Sequence, residues 1–77
     1  MITVSVLLDS VDKIQDFISR LGKYSCDFDI QSHNSSIDAR SLVGLLSLDI
    51  SNPLHLSFNA DEMQTEDILR DLEVYMA

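Results

Sequence analysis

The chain has 77 residues, 45% of them apolar, with 5 basic and 13 acidic side chains and a net charge of −8. That length holds one domain, spanning residues 1–77, with a modest core, and the charge excludes nucleic-acid binding, which needs a basic face to displace counterions. It also disfavours an anionic membrane surface, and no apolar run approaches the ~20 residues of a membrane-spanning helix.

Ile2, Val4, Val6 and Leu8 alternate with Thr3 and Ser5, which predicts a half-buried strand over residues 2–8. Asp9 and Ser10 then supply N-cap chemistry. Val11, Ile14, Phe17, Ile18 and Leu21 follow at helical spacing, with Asp12, Lys13, Asp16 and Arg20 opposite, so a helix is predicted over about 10–22. Gly22 is the expected C-cap. Cys26, Phe28 and Ile30 alternate with Asp27, Asp29 and Gln31, a second strand. Ser32, His33, Asn34 and Ser35 read as a turn, and Ile37 and Ala39 with Ser36 and Asp38 as its hairpin partner.

Ser41 precedes Leu42, Val43, Leu45, Leu46 and Leu48, a short apolar helix capped by a hydroxyl. Asn52-Pro53 breaks the chain, and Leu54, Leu56 and Phe58 form a fourth strand. Asn59 and Glu62 have capping-box spacing. Met63, Ile68, Leu69, Leu72, Tyr75 and Met76 then make a helical stripe to the last residues. The order βαββαβα implies an α+β fold, a four-stranded antiparallel sheet with three helices on one face. The other face, with Thr3, Ser5, Asp27, Asp29 and Ser57, is polar enough to meet water.

Few residues carry recognisable chemistry. Two histidines and one cysteine at unrelated spacings give no zinc signature, and Gly22 and Gly44 are too isolated for a phosphate loop. Asp27 and Asp29 share a strand face as paired carboxylates do, but alternation alone puts them on the solvated side. Cys26 reads as a small buried hydrophobe. A lone cysteine forms no internal disulfide and fits a reducing compartment. MITVSVLLDS lacks the basic start of a signal peptide, so a soluble cytoplasmic protein is expected. The last helix sets Asp61, Glu62, Glu66, Asp67, Asp71 and Glu73 against Arg70. That run is a solvated face or a dock for a basic partner.

The element order, the length and the segment Ala39-Arg40-Ser41-Leu42-Val43-Gly44-Leu45-Leu46-Ser47-Leu48 resemble the HPr family, small phosphocarriers of the bacterial sugar phosphotransferase system. The segment is similar to the stretch around that family's regulatory serine. Phe17-Ile18 with Tyr24 resembles the family's first-helix end, and Asp61-Glu62 the acidic start of its last helix. The resemblance implies the HPr-like open-faced sandwich. It implies no cofactor and no classical enzyme activity.

The family's active site reads G-L-H-x-R-P-A. Here Ser10 stands at the histidine position and Asp12 at the arginine position, while His33 and His55 lie elsewhere. A carrier histidine forms a phosphoramidate of high transfer potential, cradled by helix amides and the arginine. Serine forms a phosphate ester, a poor donor, and Asp12 places a negative charge beside it. The resemblance therefore implies a catalytically degenerate relative. Ser41 matches the serine that a dedicated kinase phosphorylates in much of the family, although capping alone also accounts for it. Leu42, Val43 and Leu46 match the family's docking patch, and small domains also leave apolar surface exposed for no purpose. Asp9, Asp12 and Asp16 would repel the acidic surfaces of the family's usual partners.

The expected function is regulatory, through protein partners such as an HPr kinase, phosphotransferase components or a transcriptional regulator. The alternatives are a phosphocarrier that uses Ser10, His33 or another acceptor, and a binding domain unrelated to sugar transport.

Overall fold

The computed structural model describes residues 1–32 and 35–76, with the side chains of Ser32 and Ser35 outside the description. Four strands form one sheet: β1 (Ile2–Val6), β2 (Phe28–Ser32), β3 (Ser35–Asp38) and β4 (Leu54–Phe58). Their spatial order is β1-β4-β2-β3 and every neighbouring pair is antiparallel. The helices are α1 (Val11–Leu21), α2 (Leu42–Leu46) and α3 (Glu62–Leu72), the last continuing into a 3-10 turn at Glu73–Tyr75. The expected α+β architecture, an open-faced four-stranded antiparallel sheet with three helices, is the observed one.

Register explains the two faces. Val6 lies opposite Leu54, Val4 opposite Leu56, and Leu56 opposite Ile30. Ile2, Phe58 and Phe28 form a further row, in which the two phenylalanine rings lie 5.4 Å apart. These rows bury Val6, Leu54, Leu56, Ile30, Phe58 and Phe28 under Ile14, Phe17 and Leu21 of α1 and Ile68 and Leu72 of α3. Each such side chain contributes roughly 1.5–3 kcal/mol of transfer free energy on burial. Thr3, Ser57 and Asp29 alternate to the open face, as do Ser5, His55 and Gln31. Ser57 is buried there, its hydroxyl 3.1 Å from that of Thr3.

Several boundaries differ from the sequence reading. β1 ends at Val6, and Leu7 donates its N–H to Tyr75 O at 2.7 Å, which leads the chain off the sheet with Leu8 buried. β2 begins at Phe28, so Asp27 lies before the strand and not on its open face. Cys26 is half-buried against the core. β3 stops at Asp38, and Ala39 is a buried turn residue. Gly22 caps α1 in an ordinary right-handed conformation, so no left-handed backbone required it. Asp61, not Asn59, caps α3, its carboxylate accepting from Gln64 N at 2.7 Å. Met76 leaves the helical path and forms an isolated antiparallel bridge with Val6. The turn expected at Ser32–Ser35 and the candidate acceptor His33 lie outside the described residues.

Candidate functional site

α1 begins at Ser10, whose extended backbone and hydroxyl make it the N-cap. The hydroxyl accepts from Lys13 N at 3.3 Å, and Ile14 N donates to Ser10 O. Lys13 is turned back on Asp9, Nζ to carboxylate 2.7 Å, both side chains about half exposed. This contact holds the Asp9 carboxyl below its usual range, through the hydrogen bond first and the charge second. Asp12 is exposed in the first turn. The mouth of α1 thus carries two carboxylates, and its one cation is already paired. Among the described residues, no histidine or arginine belongs to it.

Ser41 caps α2 by the same chemistry, its hydroxyl accepting from Gly44 N at 3.1 Å, and it is half-buried. Arg40, just before it, reaches back across α1. Its Nη2 donates to the carbonyls of Tyr24 at 2.7 Å, Cys26 at 2.8 Å and Leu21 at 3.3 Å, and the guanidinium lies over the Phe28 ring. Leu21 closes the C-terminal end of α1, eleven residues and about 16 Å along the helix from Ser10. Arg40 thus ties the head of α2 to the end of α1 opposite Ser10.

α2 packs against α1 and β3. Leu45 is its buried anchor, and Leu42 and Leu48 are half-buried against the core. Val43 is 81% exposed and Leu46 is 45% exposed. The segment from Ser41 to Leu48 contains no charge. What α2 presents outward is a small apolar face around Val43 and Leu46, with Leu42 at its edge.

His55 is exposed on β4 and belongs to the open sheet face, away from the helical layer that carries Ser10 and Ser41. It borders an open groove of about 540 Å³ between β4 and the loop after α2, shared with Leu48, Asp49 and Asn52. Asp49 is occupied there, accepting from Ser51 and Asn52, and these bonds hold its carboxyl below the usual range. Among the described residues, no three His, Cys, Asp or Glu side chains group to hold a metal ion.

Sequence reading missed the polar seam between α1 and α3. Tyr24 donates its hydroxyl to Asp71, which also pairs with Lys23 at 3.3 Å. Tyr75 donates to Asp16, which pairs with Arg20 at 2.7 Å, and Arg20 donates to Asp71 O at 2.7 Å. Periodicity carries no sign of partners 47–59 residues apart.

No protein-family model matches the sequence, and no curated protein matches it. Among solved structures, the crystal structure of HPr-C-His from Thermoanaerobacter tengcongensis is similar, with a TM-score of 0.72 and 25% identity over 94% of this chain and 90% of that one. The chain has the HPr fold.

Proposed function

We propose that this chain is an HPr-like regulatory module that binds protein partners and does not carry phosphate on a histidine at the head of α1. The observation that supports it is the mouth of α1. Ser10 caps the helix, Asp12 faces solvent in the first turn, and Lys13 is held by Asp9. A phosphoryl group there would be an ester beside two carboxylates. At ~4 Å each like charge costs ~1 kcal/mol in water and several times more where solvent is excluded. The chemistry of a high-energy carrier is opposed both by the acceptor and by its surroundings.

Partners dock on α2 through Val43 and Leu46 with Leu42 alongside, and Ser41 is the residue a kinase modifies. The absence of charge from Ser41 to Leu48 favours partners with an apolar contact over the strongly charged ones that suit a basic carrier. A phosphate on Ser41 would meet the amides of α2 but also Asp38, whose carboxylate accepts from Arg40 N at 2.9 Å. Modification would thus turn an uncharged face into an acidic one.

Intact-mass spectrometry after two incubations tests this reading. One incubation contains Enzyme I with phosphoenolpyruvate, the other an HPr kinase with ATP. The expected result is one phosphate with the kinase alone, lost in Ser41→Ala. An acid-labile gain with Enzyme I would overturn it and assign a histidine as carrier. No gain in either, together with no partner binding that Val43→Asp abolishes, would also overturn it.

A further inference from the structure

We draw no further inference here: the strongest candidate, the open groove between β4 and the loop after α2, carries nothing, because its one formal charge among the described residues, Asp49, is already engaged by Ser51 and Asn52 and nothing in the structure shows what would occupy it.

Discussion

Arg40 does the most structural work of any single side chain outside the core. One of its nitrogens holds three carbonyls, those of Leu21, Tyr24 and Cys26, and so ties the loop after α1 to the head of α2. Its Nε is buried with no partner among the described residues. A planar guanidinium is therefore not the ideal group for this socket. A lysine ammonium offers three N–H donors from one nitrogen and has no Nε to strand. Arg40→Lys should leave stability within about 0.5 kcal/mol of the parent. Arg40→Met strands carbonyls and should cost about 2 kcal/mol. Urea denaturation of the two variants checks this, and a large loss in Arg40→Lys would show that the stacking on Phe28 dominates instead. In the sequence, Arg40 shows only as a basic residue before a cap serine. Its partners lie 14–19 residues back, beyond any local pattern.

At the scale of elements, α2 depends on a close approach. A Cβ on Gly44 would sit 2.7 Å from Cγ2 of Ile37 and 3.1 Å from the Ser41 hydroxyl. Glycine inside a helix normally costs 0.5–1 kcal/mol relative to alanine. Here the obstructing methyl belongs to a β-branched residue with a stiff first torsion, so it cannot swing clear. Gly44→Ala should therefore destabilise by about 1–3 kcal/mol. The loss should shrink when Ile37→Ala opens the space, a coupling that a double-mutant cycle in urea reads directly.

The existence and order of the four strands and three helices were legible because alternation and the 3.6-residue period are strong in Val4–Val6, Ile14–Leu21 and Leu54–Phe58. The ends were less legible, since caps compete locally. Asn59 and Asp61 are both competent to cap α3, and the chain uses Asp61 because Phe58 must first finish its pairing with Ile2 and Phe28. The cap serines and the exposed face of α2 could be read from the sequence. That Arg40 ties the head of α2 to the end of α1 opposite Ser10 could not, because the contact joins residues 19 apart in the chain.

At the scale of the whole molecule, the seam between α1 and α3 makes stability depend on pH at both extremes. Asp71 is held below the usual carboxyl range by the Tyr24 hydroxyl and then by Lys23, and Asp16 by the Tyr75 hydroxyl and then by Arg20. A carboxyl lowered in the folded state favours folding fully above its unfolded value near 4, and that contribution fades as pH falls through the folded value. Tyr24 has the opposite sense. Burial, then the hydrogen bond to Asp71 and that carboxylate's charge, push its hydroxyl up to about 12. Its contribution is complete below the unfolded value near 10 and disappears as pH rises from about 10 to 12. Burial and Asp16 also push Tyr75 upward, in the same direction. Between these limits the chain's negative self-repulsion eases as pH falls toward neutrality of charge, which adds a shallow gain on the acidic side. The urea midpoint should therefore fall steeply above about pH 10. Tyr24→Phe should cost about 1 kcal/mol at pH 7, since it leaves Asp71 one donor short. It should also flatten the alkaline limb, because a phenyl ring has no proton to lose. An alkaline limb as steep in Tyr24→Phe as in the parent would move the titration to Tyr75 and leave the Tyr24–Asp71 bond as a contact without pH consequence.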